Sequence, residues 1–122
     1  MSRKKILLAD DQEGVRELVG ATLGDDEFEL LFASDGQEAL TIARSAVPDL
    51  ILLDVMMPVL DGLQVCRHLK EDPALQHIKV IMLTAKGSEA DLASGSSAGA
   101  DGYFVKPFSP LALLTRVHEI LD

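Results

Sequence analysis

The chain has 122 residues, 48% of them apolar, with one Tyr, four Phe and no Trp, which suits a single domain built around a mainly aliphatic core. Its 20 acidic residues outnumber 11 basic ones for a net charge of −9, the wrong sign for direct binding to nucleic acid or an anionic membrane. No apolar run approaches the roughly 18 residues of a membrane span, and Met1-Ser2-Arg3-Lys4-Lys5-Ile6 leads into too short an apolar run for a signal peptide, so a cytoplasmic location is expected.

Strand-like and helix-like stretches alternate along the chain. The first strand is predicted over Lys5–Ala9 and the first helix over Glu13–Gly24. Val15, Leu18, Val19, Thr22 and Leu23 form that helix's apolar stripe at i, i+3, i+4, i+7 and i+8. A second strand covers Phe28–Ala33. Ser34 and Gln37 have the spacing of a capping box for a helix carrying Ala39, Leu40, Ala43 and Val47.

Leu50–Asp54 is a continuous apolar strand ending in an acid, as expected for a strand covered on both faces. Pro58 to Gly62 is a loop, and the third helix runs to about Glu71. It carries Cys66, the lone cysteine, between Leu63 and Leu69 as a buried small hydrophobe with no disulfide partner. Val80–Leu83 is the fourth strand. A helix expected over Gly87–Ala98 is weak, because it holds two glycines, four serines and little apolar stripe beyond Leu92. The fifth strand is Tyr103–Val105. Ser109-Pro110 starts the final helix, with Leu114, Val117 and Leu121 on its stripe. Leu111 and Leu113 exceed what that stripe needs and suggest a docking face, while His68, His77 and His118 read as surface residues without metal spacing.

Five βα units without repeat or linker predict an α/β fold: a doubly wound, flavodoxin-like parallel sheet in the order 2-1-3-4-5. In such a sheet every strand's carboxyl end lies along one edge, where open α/β folds bind ligands. Three strands here stop at chemically active residues: the first at Asp10-Asp11, the third at Asp54 and the fifth at Lys106. Three carboxylates are a hard-oxygen set suited to Mg²⁺, and without metal they repel until one tends to hold a proton. Asp54, alone at the end of the central strand, is the better nucleophile, with Asp10 and Asp11 placed to hold the cation. Lys106 supplies a mobile positive charge and Thr84 a hydroxyl donor for phosphoryl oxygens. Alone, Asp10-Asp11 would read as a helix cap and Thr84 as a strand-end hydroxyl; Asp54 and Lys106 in the same frame change that reading.

At these residues the chain resembles the receiver domain of two-component response regulators over essentially its whole length, taken as one domain over residues 1–122. The matching segments are Ala9-Asp10-Asp11, Leu53-Asp54-Val55-Met56-Met57-Pro58, Asp61-Gly62, Leu83-Thr84-Ala85, Gly99-Ala100-Asp101-Gly102-Tyr103 and Lys106-Pro107-Phe108. Each is weak alone; all six in order are very specific. The resemblance implies a signalling switch rather than a turnover enzyme, one that catalyses its own phosphorylation and dephosphorylation. Asp54 would accept phosphate from a histidine kinase or phosphotransfer protein. Asp11 would ligate Mg²⁺ directly and Asp10 mainly through water, with Asp54 and the Met56 carbonyl completing the protein ligands. Thr84 and Lys106 would bind the phosphoryl oxygens, Tyr103 would rotate between outward and inward positions, and the Lys106-Pro107 peptide would be cis. A downstream output protein or fused output domain, and a phosphorylation-dependent dimer, are consistent with the resemblance.

Two features depart from common members: Gly102 stands where an acid often precedes the aromatic, and the 87–98 segment lacks the usual apolar and charged content. Met56, two residues after the acceptor, should limit the approach of a hydrolytic water and lengthen the life of the phosphoryl group. The same Met56 argues against a Mg²⁺-dependent phosphatase, which would want a second acid there. The anionic Asp10-Asp11-Gln12-Glu13 turn argues against a flavin carrier, whose phosphate loop would be rich in glycine and hydroxyls.

Overall fold

Apolar runs that alternate faces are the framework of the computed structural model, which describes residues 3–24, 28–84, 99–106 and 108–121. The strands are β1 (Lys4–Ala9), β2 (Phe28–Ala33), β3 (Leu50–Asp54), β4 (Lys79–Thr84) and β5 (Gly102–Val105). All pair in parallel in the order β2-β1-β3-β4-β5. The helices are α1 (Glu13–Leu23), α2 (Gly36–Ala46), α3 (Gly62–Glu71) and α4 (Pro110–Leu121). The helix expected over 87–98 and the cis peptide expected at residues 106–107 fall outside the described residues.

Successive strand residues point to opposite faces, and this divides the interior into two cores. Leu7, Ile51, Leu53, Val80 and Met82 pack under α2 and α3 with Leu40, Val65, Cys66 and Leu69. Ile6, Leu8, Leu50, Leu52, Ile81 and Leu83 pack under α1 and α4 with Val19, Leu23, Leu113 and Val117. Every residue of β3 is buried, as its unbroken apolar run requires. Burial also pushes the Cys66 thiol from 9.0 up to about 11, which leaves it inert as a nucleophile.

The helix faces differ in detail from the periodicity. On α1 the buried line is Val19 and Leu23 with Val15 partly covered, whereas Leu18 is 40% exposed. The Thr22 hydroxyl turns back to donate to the Leu18 carbonyl at 2.7 Å. The cap of α2 is Asp35 rather than Ser34: its carboxylate accepts from the Glu38 N–H at 2.8 Å, while the Glu38 side chain accepts from the Ser34 N–H. Val47 is not on the helix stripe but ends α2 in the left-handed region, with φ 46°. On α4 the stripe is Leu113 and Val117, so Leu113 belongs to the core and not to a docking face, while Leu111 is 71% exposed. His68 and His77 are on the surface; His118 instead packs half-buried against Phe28, ring centroids 5.6 Å apart.

The start of α3 matters most for the site. Asp61 caps it with a complete capping box: its carboxylate accepts from the Gln64 N–H at 2.8 Å, and the Gln64 side chain accepts from the Asp61 N–H at 3.0 Å. Asp61→Ala should therefore cost about 1 kcal/mol in a denaturant titration. An unchanged midpoint would show that the cap is replaced by solvent at no cost.

Candidate functional site

The site assembles where β1, β3, β4 and β5 end. Past β1, the Asp10 N–H still donates to the Ala33 carbonyl at 3.0 Å, which carries Asp10 into the buried end of the sheet. Its Oδ1 accepts from the Gln12 N–H at 2.9 Å, turning the chain into α1. The Arg16 guanidinium, one turn along α1, donates to the Asp10 carbonyl at 2.7 Å and pins the turn from behind. Asp11 projects to solvent.

Asp54 lies in register with Leu83 of β4, and its predecessor Leu53 pairs with Ala9 of β1, so Asp54 sits beside the turn that carries Asp10. Its Oδ1 accepts from the Met56 N–H at 3.1 Å, and the Val55 N–H donates to the Leu83 carbonyl at 3.0 Å. Gly62 closes this loop from the far side: a Cβ there would stand 2.3 Å from the Asp54 carbonyl oxygen and 2.9 Å from Val55 Cα. Only glycine allows α3 to seat that close. Thr84, at the end of β4, is buried, and its carbonyl accepts from the Lys106 N–H at 2.6 Å.

Lys106 ties the set together. Its ammonium donates to Asp10 Oδ2 at 2.8 Å and to Gln12 Oε1 at 3.0 Å, and it lies 3.4 Å from Asp54 Oδ2. Burial pushes the Asp54 carboxyl up from 3.8 to about 6, and the neighbouring Asp10 charge adds to the rise. The Lys106 charge and the Met56 N–H pull it back without cancelling it. Asp10, Asp11 and Asp54 each offer an oxygen within 4.8 Å of the others. An all-oxygen set with more negative charge than Lys106 neutralises suits a hard divalent cation such as Mg²⁺, and the set contains none of the nitrogen or sulfur donors that would favour a softer metal.

A cleft of about 570 Å³ opens over these groups, lined by Asp11, Gln12, Val15, Leu18, Asp54, Met56, Lys106 and Phe108. The Met56 side chain stands at its mouth, 73% exposed. Leu18, out of place as a core residue, is accounted for as part of this wall. Tyr103, paired in register with Met82, is 51% exposed on β5 and does not line the cleft.

Asp10, Asp11, Asp54 and Lys106 thus converge as their strand-end positions require, with Thr84 bonded through its backbone to Lys106. Gln12 and Arg16 are the members that sequence reasoning missed. Neither stands at a strand end or in a charge pattern, and the only signal was their place in the first turn after Asp10-Asp11.

Comparison with known proteins gives the same outline. A family model described as the response regulator receiver domain matches residues 6–118. The alkaline phosphatase synthesis transcriptional regulatory protein PhoP of Bacillus subtilis is 45% identical over 118 residues, covering 97% of this chain and 48% of that protein. The transcriptional regulatory protein ResD of the same organism is 44% identical over 117 residues, covering 96% and 48%. The chain spans about half the length of the curated relatives it matches. Among solved structures, the chemotaxis response regulator CheY4 of Vibrio cholerae superposes with a TM-score of 0.92 at 35% identity, over 98% of this chain and 100% of that one.

Proposed function

The chain belongs to the response regulator receiver family, the phosphoacceptor signalling domain of two-component systems, and from that premise we propose that Asp54 is its phosphoacceptor. The donor is a histidine kinase or a phosphotransfer protein. An Asp54 oxygen attacks phosphorus, an O–P bond forms, and the bond from phosphorus to the donor nitrogen breaks. With its carboxyl near 6, Asp54 is mostly ionised at neutral pH and so available for attack. The observation that carries this reading is the Lys106 ammonium held by Asp10 and poised 3.4 Å from Asp54 Oδ2, a positive charge standing where the phosphoryl oxygens would arrive.

Asp10, Asp11 and Asp54, together with the Met56 carbonyl, would hold Mg²⁺. The bound ion offsets the negative charge of the site and of the incoming phosphoryl group. The Thr84 hydroxyl donates to one phosphoryl oxygen and Lys106 to another. Tyr103, now half exposed, moves inward as Thr84 shifts, and this carries the state of Asp54 to the β5 side of the domain. Such differential contacts typically shift a two-state equilibrium by about 1–3 kcal/mol. The exposed Met56 shields the acyl phosphate from water and slows its loss, so self-dephosphorylation is slow. Output passes to a separate protein or an attached domain, with dimerisation on phosphorylation as one route.

The test is direct. Acetyl phosphate with Mg²⁺ should add one phosphoryl group per chain by intact mass, and hydroxylamine, which cleaves acyl phosphates, should remove it. Addition that proceeds unchanged in EDTA, or that survives hydroxylamine, would sink this reading. Phosphotransfer profiling across candidate kinases then identifies the donor.

A further inference from the structure

We propose that Gln12 is a positioning residue for Lys106, holding its ammonium in place for the phosphoryl group while leaving its charge intact. The proposal rests on the reading of Lys106 as the phosphoryl-binding cation.

Gln12 is the N-cap of α1, but its side chain makes no capping hydrogen bond. The backbone is already committed. Its N–H donates to Asp10 Oδ1 at 2.9 Å, and its carbonyl accepts from the Val15 and Arg16 N–H groups at 3.2 Å each. With the backbone fixed, the amide side chain is presented to the cleft, where Oε1 accepts from Lys106 Nζ at 3.0 Å. The bond spans 94 residues of sequence and joins the first βα turn to the end of β5.

An ammonium has three N–H donors. Two of Lys106's are spent on short hydrogen bonds, to Asp10 and Gln12, and among the described residues the third faces the looser 3.4 Å ion pair with Asp54. Two short anchors fix Nζ and leave a third N–H for the phosphoryl group that arrives at Asp54, 3.4 Å away. A phosphoryl oxygen on Asp54 can take over that third proton without breaking either anchor.

The chemistry of the second anchor matters. A carboxylate at position 12 would add a fourth negative charge to a site that must admit phosphate. It would also neutralise the cation that attracts it. A neutral amide oxygen orients the ammonium and does neither. Without it, Lys106 keeps a flexible four-carbon stem with one anchor, and the cost of ordering that stem falls on phosphoryl binding.

The experiment measures two affinities, for Mg²⁺ alone and for beryllofluoride as a phosphoryl mimic in saturating Mg²⁺. The comparison covers wild type, Gln12→Met, Gln12→Ala and each change combined with Lys106→Met. Gln12→Met keeps the side-chain length and loses the acceptor; Gln12→Ala removes the chain altogether. Both should weaken beryllofluoride binding about three- to tenfold, the size of one ordinary hydrogen bond at a solvent-exposed site, and leave Mg²⁺ affinity unchanged. In the Lys106→Met background neither should have a further effect. Equal or tighter beryllofluoride binding by the Gln12 variants overturns the proposal. So does a parallel fall in Mg²⁺ affinity, or a full-sized effect in the absence of Lys106. If wild type itself does not bind beryllofluoride, the fault lies with the phosphoacceptor reading and not with Gln12.

Discussion

Asp54→Asn should abolish phosphorylation by acetyl phosphate or a kinase, a loss of at least about 10³-fold, because the amide has no anionic oxygen to attack phosphorus. Lys106→Met should keep the nucleophile and lose its electrostatic partner, slowing the reaction by about 10²-fold. The Lys106 side chain is only 14% exposed and its ammonium lies 3.4 Å from Asp54, so solvent does not replace it. Asp11→Ala, at the exposed corner of the acidic cluster, should demand higher Mg²⁺ for the same rate. Quantitative intact-mass labelling over time separates the three. Persistent labelling of Asp54→Asn on another residue would move the acceptor, and a Lys106→Met protein as fast as wild type would remove the role given to the cation.

The same burial that tunes Asp54 should destabilise the metal-free protein at neutral pH. Asp54 titrates near 6 in the folded chain against 3.8 ordinarily, so the folded state binds its proton more tightly than the unfolded state. The contribution is fully present below about pH 4, is lost as pH rises from about 4 to 6, and stays lost above. A rise of about two units corresponds to about 3 kcal/mol at most. Asp54→Asn should then be more stable than wild type at pH 7.5 without Mg²⁺ by up to about 3 kcal/mol, with the gap closing below pH 4. Mg²⁺ should narrow the gap from the other side by binding only the folded wild-type site. Asp11→Asn should gain less, since Asp11 faces solvent and its repulsion is screened. Urea titrations from about pH 3 to about pH 8, with and without Mg²⁺, measure all of this. An Asp54→Asn protein less stable than wild type at pH 7.5 would mean that the Lys106–Asp54 ion pair outweighs burial.

The strands were legible because buried parallel strands are written as unbroken apolar runs, and a polar residue at the end of such a run marks the sheet edge. Asp10, Asp54 and Lys106 were found in that way, and parallel topology brings their ends together. Helix faces were less legible. The line a helix buries is set by how it sits on the twisted sheet and not by its apolar spacing alone, so Leu18 went to the cleft wall and Leu113 to the core. The cap of α2 moved by one residue to Asp35, because Ser34 and Asp35 both carry capping side chains and only geometry selects one. Asp61 read as a turn residue and is in fact the cap of α3. Gln12 was not legible as a site residue: a lone amide has no period or charge, and its partner lies 94 residues away.

The division of the interior into two cores has a consequence for how this sequence can change. Leu50 and Leu52 belong to one core, Ile51 and Leu53 to the other. The side of the sheet on which Asp54 emerges is therefore a matter of parity. An apolar exchange within β3 alters volume and leaves parity alone. Inserting or deleting one residue sends the acceptor carboxylate, and every side chain between it and the edit, to the opposite layer. An insertion of two restores the side but advances Asp54 by about 6.6 Å along the strand, past Asp10 and Lys106. Apolar exchanges among residues 50–53 are thus open to drift, whereas the length of β3 is closed to change in either direction.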